Sequence, residues 1–255
     1  MSNPNDLWTQ CRFPDIAEPY LGALKAAVRH ILDTYEVLGI IAAGSIIRGE
    51  GHPSSDWDIC VVHAKPQRQM IQTFFEGVPT QIFLNPPDKI RQYFVSEAAE
   101  GSCITAHMFV TGFVVLDRDP FIEEARQEAH RVIAAGPQVK AEALPMQAYH
   151  IASEFENAMD IIEADPPAGL MLLSHTMMRM LQYYFVRHQI FIPRTKDLLK
   201  RAREHNPELG RLVDDFYRVN DLAQKIELAG QIADTTIQAR GFFESQTPLE
   251  TVSME

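Results

Sequence analysis

The chain has 255 residues, of which 46% are hydrophobic and 22% charged, and its formal net charge at pH 7 is -11. A chain of this length usually forms more than one compact domain, so two domains are expected. The acidic balance disfavours a nucleic-acid partner, because binding to phosphate backbones depends on clustered Lys and Arg.

The sequence also argues against a membrane protein and a disulfide-stabilised one. It contains no run of the roughly 18 apolar residues that a membrane span requires, so no membrane partner is expected. Residues 1–6 lack the basic and apolar segments of a secretion signal, which favours a cytoplasmic location. Cys11, Cys60 and Cys103 are far apart and form no CxxC pair, so neither a disulfide framework nor a thiolate zinc site is predicted.

The first half of the chain combines one clear helical pattern with several short apolar runs. Apolar residues recur at spacings of three and four over residues 19–35, which predicts an amphipathic helix that packs on a sheet. Strand-like runs lie at 37–43, at 57–63 and on both sides of Glu76-Gly77. A second helix is expected from Pro86 to about residue 97, and a further apolar stretch covers 105–116.

Beyond Asp119 the strand-like pattern disappears and helical spacing takes over. Helices are predicted at 121–135, 146–164, 170–189 and 214–240. The predicted fold class is therefore an α/β (α+β) N-terminal domain with a small mixed sheet, residues 1–118, followed by an all-α helical bundle, residues 119–255.

The segment that carries chemistry begins where the first predicted strand stops at Gly44-Ser45. The next strand opens with Asp56 and Asp58, and because alternate strand residues share a face, both carboxylates are expected to project together. Such a pair is commonly a solvated strand end, but a Gly-Ser turn at this distance favours a Mg²⁺ site, since Mg²⁺ is held by one or two carboxylates together with substrate phosphates.

The same segment predicts a place for a triphosphate. Gly44 lets the backbone approach a ligand closely, and Ser45 offers a hydroxyl and main-chain N–H groups to an anion. Arg48 is a candidate charged contact to phosphate, and Ser55, next to Asp56, is included among the nucleotide-binding candidates.

This pattern of Gly44-Ser45, ten intervening residues and then Asp56-Trp57-Asp58 resembles the nucleotidyltransferase superfamily, which includes DNA polymerase beta and the aminoglycoside nucleotidyltransferases. Residues 80–87, 105–108 and 193–199 look similar to a bacterial group of stand-alone nucleotidyltransferase-domain proteins. The resemblance implies Mg²⁺-dependent transfer of a nucleoside monophosphate, with ATP as the expected donor, to an acceptor hydroxyl.

The sequence departs from the superfamily pattern at one catalytic position. The resemblance places a third carboxylate on a later strand, and the aligned residue here is Gln81. A glutamine cannot act as a general base and is a poorer Mg²⁺ ligand than a carboxylate. Glu76, at the preceding turn, and Asp88, at the start of the next helix, are the alternatives for this role.

Two basic residues of the second half, Arg194 and Lys196, follow Pro193 and are candidates to reach the triphosphate across a cleft lined by residues 44–58. The alternative is that the basic run to which they belong is a solvated helix face.

Two functions follow as alternatives. The first is a nucleotidyltransferase whose partners are a nucleoside triphosphate and an unidentified acceptor, with a small molecule favoured over a protein. The second is a catalytically impaired nucleotide-binding protein that acts as a sensor or as an antitoxin-type partner, and Gln81 is its support in the sequence. A homodimer is compatible with either.

Overall fold

The computed structural model describes residues 4–244 and 246. The chain divides into two compact units, the first of which runs to Ala135, apart from residues 99–102. Those four residues belong to the second unit, which otherwise begins at Gly136. Within the described residues, no helix combines the length and the apolar character needed to cross a membrane.

The first unit contains five strands and five helices within its described residues. In chain order they are α1 (Pro4–Trp8), α2 (Tyr20–Thr34), β1 (Gly39–Ala43), β2 (Trp57–Val62), β3 (Gln69–Phe75), β4 (Val78–Asn85), α3 (Pro87–Ala99), α4 (Ile104–Thr111), β5 (Phe113–Asp117) and α5 (Phe121–Ala135). The strands form one sheet in the order β3-β4-β2-β1-β5. Only the β2–β4 pair is parallel among these neighbours, so the predicted small mixed sheet is confirmed.

The sequence of β2 explains why both faces of the sheet are covered. Trp57, Ile59 and Val61 pack into the core formed with α2, as the amphipathic pattern of that helix predicts. Cys60 and Val62 point to the opposite face, where they contribute to a second core with α3, α4 and α5. Asp58 on β2 and Asp56, just before the strand, are therefore the polar exceptions in a largely apolar segment.

The first unit extends beyond the predicted boundary at residue 118. Periodicity identified the helix at 121–135 correctly, but its apolar face belongs to the core over the sheet and not to the helical bundle. The residues that place it there are Phe121, Ile122, Ala125 and Ala129. The helix therefore belongs to the same compact unit as the strands.

The described residues of the second unit form helices joined by loops, with no strand among them, as predicted. Its α-helices are α6 (Leu144–Ile162), α7 (Pro166–Arg187), α8 (Leu198–His205), α9 (Pro207–Arg218) and α10 (Leu222–Thr236). They enclose a core that includes Phe155, Leu173, Met177, Phe185 and Phe216.

One predicted helix, at 214–240, is wrong as a single element. The chain breaks after Arg218, and Asp221 begins α10 by accepting a hydrogen bond from the backbone N–H of Gln224 at 2.8 Å. An Asp at the N-cap satisfies an N–H group that has no partner inside the helix. This local signal outweighed the continuous apolar spacing.

Gly112 provides a test of how closely the first unit is packed. This residue joins α4 to β5, and a Cβ added there would collide with Ile41 Cγ2 and lie 2.5 Å from the carbonyl oxygen of Met108. Gly112→Ala is expected to lower the free energy of unfolding by about 1–3 kcal/mol, the usual cost of overfilling a packed site.

Urea denaturation of the variant beside the parent chain measures this difference. The matched control is Gly51→Ala, because a Cβ at Gly51 would approach no atom closer than 3.8 Å. The control should change stability by no more than about 0.5 kcal/mol. Equal effects of the two substitutions would contradict the described packing at Gly112.

Candidate active site

The backbone turn after β1 shapes one wall of the site. Gly44 follows Ala43 and adopts a φ of 95°, in the left-handed region that favours glycine. A Cβ at this position would lie 2.9 Å from Asp58 Oδ2. Because Gly44 has no side chain, the Asp58 carboxylate can pack against the main chain at this position.

The two aspartates and Gln81 come together through strand pairing. Asp58 on β2 is the register partner of Ala43 on β1 and of Gln81 on β4. Gln81 Nε2 donates a hydrogen bond to Asp56 Oδ2 at 2.8 Å. All three polar side chains are partly buried. They form a cluster on the sheet face that α3 and α4 cover, beside the part of that face that the helices bury.

Gln81 directs its side-chain N–H to Asp56. An amide donor beside a carboxylate satisfies one of its anionic oxygens.

The loop between the two motif halves is held by serine hydroxyls. Ser45 Oγ lies 2.9 Å from Ser55 Oγ, and Ser55 Oγ also accepts a hydrogen bond from the backbone N–H of His52 at 2.8 Å. Residues 45–49 form hydrogen-bonded turns, closed by the bond from Glu50 N to Ser45 O at 2.9 Å, and do not form a regular helix. Ser45 and Ser55 are thereby brought together beside the aspartates.

Arg48 is engaged by a neighbour. Its Nε lies 3.1 Å from Glu50 Oε2, and the Glu50 side chain is 54% exposed. An ion pair with an exposed carboxylate contributes little stability, about 0–1 kcal/mol, so exchange of Glu50 for a phosphate would cost little.

Arg194 and Lys196 belong to the second unit. Both side chains are exposed, and Arg194 pairs with Asp197 Oδ2 at 2.6 Å. Their approach to a triphosphate stays a prediction.

Neither sequence alternative for the third carboxylate lies at the cluster. The Glu76 carboxylate lies against Gly22 in the first turn of α2. Asp88 is exposed beyond the far end of β4, and the strand from Gln81 to Asn85 spans about 13 Å. Among the described residues, no three His, Cys, Asp or Glu side chains are arranged to hold a metal ion.

No pattern in the sequence indicated the part that Tyr20 plays. Its carbonyl accepts a hydrogen bond from the Trp57 indole at 3.1 Å, and its hydroxyl donates to the carbonyl of His52 at 3.0 Å. Tyr20 therefore braces the chain on both sides of Asp56. These contacts join residues more than 30 positions apart, so no local pattern could reveal them.

Cys60 follows Asp58 on the same face of β2 but is not a second reactive group. Burial, and then the negative charges of Asp58 and Glu97, raise the pKa of its thiol to about 12. A thiol that stays protonated is neither a nucleophile nor a metal ligand at neutral pH.

Comparison with known proteins agrees with this geometry. Residues 24–104, which include β1 to β4 and both motif halves, match the family model of the nucleotidyltransferase domain. No curated protein matches the chain in sequence. A nucleotidyltransferase-like protein from Exiguobacterium sibiricum 255-15 is similar in structure, with a TM-score of 0.52 over 85% of this chain and 74% of that chain.

The two chains are 10% identical, so the likeness of the solved structure concerns the fold alone. The family match concerns the segment that holds Gly44, Ser45, Asp56 and Asp58. The chain therefore contains a nucleotidyltransferase domain of this family at residues 24–104.

Proposed function

We propose that the protein transfers a nucleoside monophosphate, AMP in the expected case, from a nucleoside triphosphate to an acceptor hydroxyl. The observation that carries the proposal is the placement of Asp56 and Asp58 beside the Gly44-Ser45 turn within a nucleotidyltransferase domain. This arrangement combines two anionic ligands with a hydroxyl and a tight backbone turn at one point of the sheet.

The donor set of the cluster fits a hard divalent cation. Asp56 and Asp58 would hold Mg²⁺ through carboxylate oxygens, which are the ligands this ion prefers, and the missing side chain of residue 44 leaves room at Asp58 Oδ2. When bound, the ion supplies neutralisation of phosphate charge and polarisation of a phosphoryl oxygen. Triphosphate oxygens would complete its coordination.

The proposed transfer exchanges a phosphoanhydride bond of the triphosphate for a phosphate ester bond to the acceptor. The acceptor oxygen forms a bond to the α-phosphorus, the bond from that phosphorus to the oxygen bridging to the β-phosphate breaks, and pyrophosphate leaves with the electron pair. The acceptor proton passes to water, since the amide of Gln81 cannot accept it. Ser45 and the turn that follows it would bind the phosphates, so the contribution of these residues is mainly positioning.

A transfer assay tests the proposal directly. ATP labelled at the α-phosphate, incubated with the protein and Mg²⁺, should pass its label to one member of a panel of small hydroxyl compounds or lysate proteins. The transfer should stop when EDTA removes the metal. Label transfer that persists in EDTA would contradict the metal-dependent mechanism.

The hydrogen bond between Gln81 and Asp56 favours a second candidate function, a nucleotide-binding protein without transferase activity. Here the amide fills the position at which the family resemblance implies a carboxylate. Magnesium-nucleotide binding without transfer to any acceptor would support this sensor or antitoxin-type role.

The metal assignment predicts the behaviour of an Asp58 variant. Asp58→Asn removes one of two anionic oxygen donors, so affinity for magnesium-ATP should fall by about tenfold or more, equivalent to about 1.4 kcal/mol. Isothermal titration calorimetry measures this change. Asp88→Asn, which removes the same charge beyond the far end of β4, is the matched control and should bind as the parent does. Unchanged affinity in the Asp58 variant would count against the site.

Gln81→Glu tests the position that departs from the family pattern. The new carboxylate would stand beside Asp56 and could share the metal or accept the acceptor proton, a role worth roughly 10²- to 10⁴-fold in rate. Transfer should therefore rise in this variant, as measured with labelled ATP.

The matched control for the added charge is Gln92→Glu. Gln92 is exposed on α3, and its side-chain oxygen accepts a hydrogen bond from Lys89 Nζ that a glutamate would retain. It should leave the transfer rate near that of the parent. A rise of the same size in both variants would show that general charge, and not the position of residue 81, affects the reaction.

A further inference from the structure

The edge strand β3 exposes large apolar side chains. Phe74 is 70% exposed and Met70 is 53% exposed. At the opposite edge of the sheet, β5 has a partner from another segment of the chain. The backbone N–H of Arg12 donates to the carbonyl of Val115 on β5 at 2.8 Å. Exposed apolar groups on an edge strand invite a binding partner.

These side chains lie on the same sheet face as the carboxylates. Met70, Gln72 and Phe74 on β3 are the register partners of Phe83, Gln81 and Pro79 on β4. Gln81 is in turn the partner of Asp58 on β2. Because partners across a sheet point to the same face, a row of side chains runs from Asp58 through Gln81 to Gln72.

The row ends at Gln72, and this residue and its neighbours on the same face form a surface that we call the β3–β4 platform. Its five residues are Met70, Gln72, Phe74, Pro79 and Phe83. With neighbouring strands about 4.8 Å apart, Gln72 lies about 10 Å from Asp58. Phe74 and Met70 flank Gln72 on β3. A molecule of modest size could place a hydroxyl at the aspartates and its remaining atoms on the platform.

The platform carries no charge, although the chain as a whole has a net charge of -11. None of the seven residues of β3 or the eight residues of β4 is Asp, Glu, Lys or Arg. A polycationic acceptor would therefore find no carboxylate on these strands. A flat apolar group would gain contact with Phe74 and Met70 and would lose little hydration.

We propose that the β3–β4 platform is the acceptor subsite and that the acceptor carries an uncharged aromatic group within about 10 Å of the hydroxyl that receives the nucleotide. The proposal rests on the proposed transferase function. The amides of Gln72 and Gln81 would serve polar atoms between the ring and the hydroxyl.

Ligand-observed NMR titrations with two commercial alcohols test this subsite. The probes are 2-(2-naphthyl)ethanol, which is uncharged and aromatic, and kanamycin, which is a polycationic polyol, each added to the protein with Mg²⁺ and a non-hydrolysable ATP analogue. Naphthylethanol should bind more tightly than kanamycin. Phe74→Ser should weaken naphthylethanol binding by about fivefold to tenfold, since it removes the main aromatic contact.

The matched control is Phe242→Ser. Phe242 is 79% exposed in the second unit, so this variant loses a comparably exposed ring elsewhere and should bind naphthylethanol as the parent does. Tighter binding of kanamycin, or equal effects of the two Phe substitutions, would overturn the proposal.

Calorimetry of magnesium-nucleotide binding separates this proposal from the one on which it rests. Affinity for the nucleotide should be the same in the parent and in both Phe variants. If the parent does not bind the nucleotide, the transferase function is overturned. If nucleotide binding persists while Phe74→Ser leaves naphthylethanol affinity unchanged, the subsite alone is overturned.

Discussion

The register of β2 between β1 and β4 is the constraint on which the candidate site depends. It sets Asp58 beside Ala43 and Gln81, and it sends Trp57, Ile59 and Val61 into the core with α2. A slip of one residue would exchange the two faces of the strand. Asp58 would then enter an apolar core, where an unpaired carboxylate is costly. The apolar residues of β2 therefore position the polar ones.

The turns around β2 adapt to this register. Gly44 has no side chain where the Asp58 carboxylate packs, and its positive φ turns the chain toward Ser45. Ser45 and Ser55 then join the two ends of the loop, while Tyr20 holds its outer side. Gln81 completes the cluster through its hydrogen bond to Asp56. The cluster is a small polar assembly supported by contacts from four separate segments of the chain.

Local patterns predicted the elements of the fold well and their assembly less completely. The helix at 121–135 followed from periodicity, but an apolar face does not specify which core it joins, and α5 joins the sheet. The helix predicted at 214–240 overlooked Asp221 as a capping residue. Its side-chain bond to Gln224 N is a signal that the sequence contains, because Asp at an N-cap is a common start for a helix.

In the candidate site, too, local patterns predicted some features, while others depended on tertiary structure. Spacing along one chain segment was enough to associate Gly44-Ser45 with Asp56 and Asp58, since strand alternation fixes which side chains share a face. Recognising the exposed apolar side chains beside the aspartates required the strand order and register. Met70 and Phe74 look like ordinary strand residues in the sequence. The bracing by Tyr20 depends on tertiary packing of α2 and could not be predicted.

A crystal structure of the protein with Mg²⁺ and a non-hydrolysable ATP analogue would test the proposed site. We expect a metal ion about 2.1 Å from carboxylate oxygens of both Asp56 and Asp58, with triphosphate oxygens in its remaining coordination positions and at the Ser45 turn. A metal-nucleotide complex bound elsewhere, with no ligand from either aspartate, would show that the two aspartates are not the metal site.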